Sequence, residues 1–125
     1  EEITPDFSGG ALQLITYGDS GSQSMTGTVF ADGDLRITSI DDFPLNVSPS
    51  RHMLFTKHLD MPGIIGKLGS LLGEHNVNIA SMQVGRRIVR GEAVMVLSID
   101  DPIPSDLLSS ILLIEGIKEA NPVTL

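Results

Sequence analysis

The residues best suited to chemistry in this sequence lie in and around one short loop, His58-Leu59-Asp60-Met61-Pro62-Gly63. An apolar segment ends there and a helical pattern begins, so the loop is predicted to join a strand to the start of a helix. The first N–H groups of a helix have no partner within the helix and form an anion site. Asp60 beside them would attract an ammonium group, while His58 and Asn78, on adjoining predicted strands, would add hydrogen bonds. This set predicts a site for a zwitterion whose carboxylate faces the helix and whose ammonium faces Asp60.

A structural role for the same residues stays open on the sequence alone. Aspartate is common beside helix N-termini, where its carboxylate accepts hydrogen bonds from the first turn, so Asp60 would then be a helix cap. Asn78 would merely occupy a turn. The two roles differ in what removal of the carboxylate would change, which is ligand affinity in one case and stability in the other.

Other kinds of chemistry have little support. The three histidines, His52, His58 and His75, lack the i, i+4 spacing of a helical metal pair, so no metal site is predicted. The run PGIIGKLG matches neither the GxGxxG dinucleotide pattern nor a P-loop, and no GxSxG or SxxK nucleophile motif occurs. The chain has no Cys, which excludes iron–sulfur clusters and a Cys nucleophile and is compatible with the cytoplasm. No catalytic residue and no cofactor are therefore assigned to this chain.

Charge and hydropathy restrict the partners further. Asp and Glu number 16 against 8 Lys and Arg, and the formal net charge of −8 argues against non-specific binding to nucleic acid. No apolar run approaches the ~20 residues that a membrane-spanning helix needs, so no membrane association is expected. Arg86, Arg87 and Arg90 form a concentrated positive run bounded by glycines, which is typical of a solvated hairpin tip.

The strands that would hold the site are predicted from residue 51 onward. Residues 52–58 have the pattern of a buried strand, and residues 77–84 and 92–99 predict two more strands joined by the basic turn. Residues 117–125 predict a last strand, which Pro122 should confine to an edge of the sheet.

Two helices complete this region. The first has its start signals at Asp60 and Pro62 and an apolar stripe formed by Ile64, Ile65, Leu68, Leu71 and Leu72. Three glycines on another face, each costing roughly 0.8–1 kcal/mol relative to Ala, predict close approach of another backbone or sheet; they are Gly66, Gly69 and Gly73. The second helix begins at Pro104, and Gly116 suits its stop; its stripe is Leu107, Leu108, Ile111 and Leu112. The order β-α-β-β-α-β is the ferredoxin-like arrangement of an α+β domain.

The first fifty residues have a different pattern. They are rich in Gly, Ser, Thr and Asp and alternate with period two, which predicts three or four short strands, with an Asp-Gly hairpin turn at residues 31–34. Three or four short strands form a poor core by themselves. They are therefore predicted to belong to a larger sheet. The run Ser48-Pro49-Ser50 is the expected boundary. The first residue is not Met, which indicates a piece of a longer chain.

Two stretches carry a family resemblance. Residues 58–104 closely resemble the C-terminal ACT domain of D-3-phosphoglycerate dehydrogenases, with specific matches at the D-x-PG-x-IGK run, at VNIA and at VGR…GEA. Residues 25–47, MTGTVFADGDLRITSIDDFPLNV, resemble the end of the allosteric substrate-binding (ASB) domain that precedes it in the longer forms of that enzyme. The resemblance implies a partial, β-rich ASB domain over residues 1–50 and an ACT domain over residues 51–125.

The resemblance also implies a function. Enzymes of that family oxidise 3-phosphoglycerate with NAD at the head of serine biosynthesis, and their NAD-binding and catalytic parts would lie upstream of Glu1. Their ACT domains pair side by side, and in many members the pair binds L-serine. The corresponding positions here are His58, Asp60 and Asn78, with backbone around Ile64 and Ile65. The expected partners are L-serine or another small amino acid and a second copy of the chain, in a dimer or a higher oligomer.

Two alternatives remain. The regulatory end of an iron–sulfur L-serine dehydratase resembles the same pair of domains, and its catalytic cysteines would lie outside this chain. A stand-alone ACT scaffold that drives assembly without a ligand is the other. The stretch VGRRIVRGEAVMVLSIDDP favours the dehydrogenase.

Overall fold

The chain folds into two units. The computed structural model describes residues 2–8, 11–18, 21–29 and 35–124. Its two compact units are Glu1–Pro49 and Ser50–Leu125. Within the part of the chain that is described, no helix is both long and apolar enough to cross a membrane.

The first unit is a five-stranded antiparallel sheet in which each strand pairs with the next along the chain. The strands are β1 (Glu2–Ser8), β2 (Ala11–Gly18), β3 (Gly21–Val29), β4 (Leu35–Ile40) and β5 (Phe43–Val47). The sequence predicted three or four strands here, whereas the structure has five. Asp41 and Asp42, which join β4 to β5, both have positive φ angles of 48° and 67°, as a two-residue hairpin turn requires. The Asp-Gly turn predicted at residues 31–34 lies outside the described residues.

The second unit has the predicted β-α-β-β-α-β order, so the ferredoxin-like prediction is confirmed. Its elements are β6 (His52–Leu59), α1 (Ile64–Glu74), β7 (Ile79–Arg86), β8 (Glu92–Ile99), α2 (Ser105–Leu112) and β9 (Ile117–Thr124). The four strands form an antiparallel sheet in the order β7-β8-β6-β9. Strand β9, which contains Pro122, lies at an edge, as predicted, because proline cannot donate a hydrogen bond to a second neighbouring strand.

One face of this sheet packs against the two helices. The core contains Leu54 of β6, Met95 and Leu97 of β8, and the buried helix residues Ile64, Leu68, Leu72, Leu107 and Ile111. The predicted stripes were too wide. Ile65 is 45% exposed and Leu112 is equally exposed, because a helix lying on a flat sheet buries only its central row of side chains.

Helix α1 ends in a Schellman motif. The N–H of Val77 donates to the carbonyl of Leu72 at 2.9 Å, and the N–H of Asn76 donates to Gly73 at 3.0 Å. Asn76 has a positive φ of 59°, which asparagine tolerates better than most residues. Helix α2 ends earlier than predicted, at Leu112, so Gly116 lies in the turn before β9 and does not cap the helix.

The glycine face of α1 is open in this chain. A Cβ atom built on Gly66, Gly69 or Gly73 would meet nothing within 4 Å among the described residues. The prediction of a close backbone approach is therefore wrong within a single chain. The three glycines lie on the side of the helix opposite its buried row, so they point away from the sheet.

The turn at Gly116 should tolerate no side chain. Gly116 has a φ of +96°, and an added Cβ would lie 2.5 Å from the Cδ1 atom of Ile64, which is buried. We expect Gly116→Ala to lower the free energy of unfolding by about 2–3 kcal/mol, from backbone strain and overpacking together. Urea unfolding followed by circular dichroism measures this change. The matched control is Gly69→Ala, for which an equal or higher stability is expected because alanine favours a helix. Equal losses at both positions would contradict the argument.

Candidate functional site

The loop between β6 and α1 has the predicted position at the end of a strand and before a helix. His58 lies near the end of β6, with Ala93 of β8 on one side and Ile117 of β9 on the other. Asp60 follows in the loop, where its N–H donates to the carbonyl of Gly91 at 2.8 Å. The loop is therefore held against the turn that joins β7 to β8.

His58 is a buried imidazole with an unused nitrogen. The residue is only 2% exposed, and its Nδ1 atom has no hydrogen-bond partner among the described residues. Burial lowers the pKa of His58 below its ordinary value of 6.5, and the nearby charge of Asp60 opposes that effect only in part. The ring is therefore neutral at pH 7. A buried polar atom without a partner is costly, and Nδ1 has almost no accessible surface, so a polar group could reach it only after a local shift of the loop.

Asp60 is held by the β7–β8 turn. Its Oδ2 atom accepts a hydrogen bond from the backbone N–H of Arg90 at 3.0 Å and another from Nη1 of Arg86 at 2.9 Å. These two bonds, with the Arg90 N–H making the larger contribution, lower the pKa of the Asp60 carboxyl group. Asp60 is therefore an anion at neutral pH.

Asp60 does not cap α1. The N-cap residue is Gly63, with a φ of 92°, and no side chain accepts a hydrogen bond from the first turn. The alternative that Asp60 caps the helix is therefore wrong, because the helix begins at Ile64 and the carboxylate bonds to Arg86 and Arg90 instead. The N–H groups of the first turn, which include those of Ile64 and Ile65, remain available to an anion.

Asn78 is far from this loop in the same chain. It precedes β7, at the end of the sheet where Ile79 pairs with Ile99, whereas His58 pairs with Ala93 at the other end of β8. Six residue steps along a strand separate the two ends by roughly 20 Å. The side chain of Asn78 donates to Asp100 at 2.9 Å. The expectation that Asn78 and His58 lie on adjoining strands is wrong, because β8 lies between β6 and β7.

The sequence missed the part played by the basic turn. Its tip is solvated as predicted, since Ile88 and Val89 are well exposed. Arg86, however, is not an unpaired surface charge, because it forms the ion pair with Asp60. Local sequence carried no signal of that pair, whose members lie 26 positions apart.

An open groove of about 620 Å³ lies along the same helix. It is lined by residues of α1 and the end of α2, among them Gly63, Gly66, Lys67, Ser70 and Leu113. It includes neither His58 nor Asp60. Among residues 35–124 and the other described segments, no group of three or more His, Asp or Glu side chains is placed to hold a metal ion.

Comparisons with known proteins agree with this fold. Residues 52–112 match the ACT domain family. The chain is 58% identical over 120 residues to a D-3-phosphoglycerate dehydrogenase of Synechocystis, which is 96% of this chain and 22% of that protein, at its C-terminal end. It is 36% identical over 102 residues to the Bacillus subtilis enzyme of the same name, which is 80% of this chain and 19% of that protein.

A weaker match concerns a different enzyme. A Bacillus subtilis protein named "Probable L-serine dehydratase, beta chain" is 26% identical over 98 residues, which is 78% of this chain and 44% of that protein. The chain spans about a fifth of the length of the two dehydrogenases. The second unit of this chain is an ACT domain, and the chain as a whole is similar to the C-terminal end of D-3-phosphoglycerate dehydrogenases.

Proposed function

We propose that this chain is the amino-acid-sensing regulatory region of a D-3-phosphoglycerate dehydrogenase and that its ligand is L-serine. The observation that carries the proposal is the β6–α1 loop, where the ionised Asp60 and an uncapped helix start lie within four residues of each other. ACT domains generally bind amino acids and form dimers. The similarity to dehydrogenases of serine biosynthesis makes the end product of that pathway the natural ligand.

Each polar group of L-serine would have a partner in the β6–α1 loop. Its carboxylate would accept hydrogen bonds from the N–H groups of Ile64 and Ile65 at the positive end of α1. Its ammonium would pair with the carboxylate of Asp60. The hydroxyl group of serine would bond to Nδ1 of His58 after a small shift of the loop that uncovers this nitrogen, which is buried and has no partner among the described residues. Glycine and alanine lack that hydroxyl, so they would leave the nitrogen unsatisfied.

Asn78 would join the site from a second copy of the chain. Strand β7 lies at an edge of the sheet, and its residues Ala80–Val84 are exposed. An exposed edge strand is a template for pairing. If two copies of β7 pair antiparallel across a two-fold axis, the Arg86 end of one lies opposite the Ile79 end of the other. The second copy's Asn78 then comes to the end of the sheet that carries Asp60, although the two residues are far apart within one chain.

The rest of the proposal concerns the parent protein. Residues 1–50 would be the end of an ASB domain, and NAD binding and the oxidation of 3-phosphoglycerate would belong to parts of the protein outside this chain. Such an enzyme would act in the cytoplasm. The chain itself would bind no cofactor and catalyse no reaction, and would transmit the serine level to the catalytic part.

A second candidate is the regulatory end of an L-serine dehydratase, because the match to the Bacillus subtilis beta chain covers 78% of this chain. The higher identity and longer coverage of the dehydrogenase match favour the first candidate. A scaffold without a ligand is the third, and it predicts dimers that bind no amino acid.

Titration calorimetry tests the proposal. We expect L-serine to bind with one site per chain, and glycine and L-alanine to bind about tenfold more weakly, since one hydrogen bond to a buried nitrogen is lost. D-serine is a further control, because its hydroxymethyl group would be directed away from His58. No heat with L-serine would overturn the sensing function and leave the scaffold. Equal binding of serine and alanine would remove His58 from the site.

A further inference from the structure

We propose that Arg86, together with the backbone N–H of Arg90, positions Asp60 for the ligand by holding its Oδ2 atom and leaving Oδ1 for the ammonium group. Arg86 is thus a positioning residue of the amino-acid site. This inference rests on the proposed function and adds a residue to which neither the family resemblance nor the loop motif assigns a role.

Both side-chain hydrogen bonds of Asp60 are accepted by one oxygen of its carboxylate. Both donors, Nη1 of Arg86 at 2.9 Å and the N–H of Arg90 at 3.0 Å, converge on the same oxygen. Among the described residues, Arg90 and Arg86 are the hydrogen-bond donors that act on the Asp60 carboxyl group, and both bind Oδ2. A carboxylate has about four lone-pair sites, so an ammonium group can bind Oδ1 without displacing either donor.

The β7–β8 turn and the β6–α1 loop are joined by hydrogen bonds in both directions. The N–H of Asp60 donates to the carbonyl of Gly91 at 2.8 Å, while the N–H of Arg90 donates back to the Asp60 side chain. Arg90 itself has a φ of 62°, which is unfavourable for a side chain of this kind. A strained backbone of this sort persists where its surroundings over-determine it, and here it aims the N–H at Asp60. The carboxylate therefore has one orientation before the ligand arrives.

The positive charge of Arg86 would also repel the ammonium group of the ligand. The Arg86 side chain is 53% exposed, whereas the Asp60 side chain is 22% exposed. Water and salt screen the repulsion by an exposed cation, but they do not remove the orientation that its hydrogen bond imposes. Fixing the carboxylate in advance lowers the entropy lost on binding. Positioning should therefore outweigh repulsion at physiological salt.

The test compares Arg86→Met, Arg86→Lys and Arg87→Met, with serine affinity measured by calorimetry at physiological salt. Arg87 serves as the matched control because it is the next residue along the chain and its charge acts on Glu92, not on Asp60. We expect Arg86→Met to weaken serine binding about tenfold, Arg86→Lys to recover most of that loss, and Arg87→Met to bind as the unaltered chain does. Size-exclusion chromatography checks that the oligomeric state is the same in all.

A spectroscopic readout separates positioning from a structural role. Carbon-13 NMR of the Asp60 carboxyl group should show a higher pKa in Arg86→Met, because a hydrogen bond and a positive charge that favour the anion are lost. Serine binding needs the anion, so it should fail at a higher pH in that variant as the solution is acidified. If the Arg86→Met variant binds serine with unchanged or higher affinity, the inference is overturned but the proposed function is not. An unaltered chain that binds no serine overturns both.

Discussion

Placing lysine on the exposed edge strand, by Met82→Lys and Val84→Lys together, is expected to convert dimers into monomers. Both side chains are exposed in the single chain, at 39% and 37%, so the change should cost the fold little. In an antiparallel β7 pair the four added charges would lie close to one another across the two-fold axis. Lysine on an edge strand and like charges in an interface both oppose pairing, so we expect the dissociation constant of the dimer to rise about a hundredfold or more.

Light scattering over a range of concentrations measures this effect. The matched control is Leu113→Lys, which also replaces an exposed apolar residue by lysine, but at the C-cap of α2 and not on β7. It should remain dimeric. Serine binding should be lost with the dimer in the β7 variant, because Asn78 would no longer be supplied by a second copy. A β7 variant that stays dimeric would show that the chains associate through another surface, such as the glycine face of α1.

The second large effect concerns the two residues that a dimer would bring together. Asp60→Ala and Asn78→Ala are each expected to weaken serine binding about ten- to a hundredfold, because each removes a hydrogen-bonding partner of a charged ligand. Asp60 caps no helix, so its removal should leave α1 intact. Parallel thermal melts check that neither change acts through unfolding.

Mixing the two variants gives the sharper result. In a heterodimer of Asp60→Ala and Asn78→Ala, one site would contain both changes and the other site neither. After exchange of subunits from equal amounts, roughly a quarter of all sites should therefore bind serine with the original affinity. If Asp60 and Asn78 acted within one chain, every site would carry one change and mixing would restore nothing. Recovery is thus specific to a site shared across the pair.

Several features of the fold could be predicted from the sequence because local patterns determine them. The strand β8 was predicted with its observed ends, since its apolar run lies between a glycine and an acidic turn. Strands β7 and β6 were predicted within two residues. Pro104 and the apolar row of α2 identified the second helix. The prediction that α2 ends at Gly116 was wrong. The positive φ of this glycine is required by the turn into β9 and not by the end of the helix.

By itself, the sequence determined the order of the elements and the chemical character of the β6–α1 loop, because hydrophobic period, proline and glycine act over a few residues. Only the tertiary structure decided which distant residues meet that loop. The strand order inserts β8 between β6 and β7, which separates His58 from Asn78 and brings Arg86 to Asp60. Those distances depend on how strands far apart in the chain align with one another, and no local pattern carries that information.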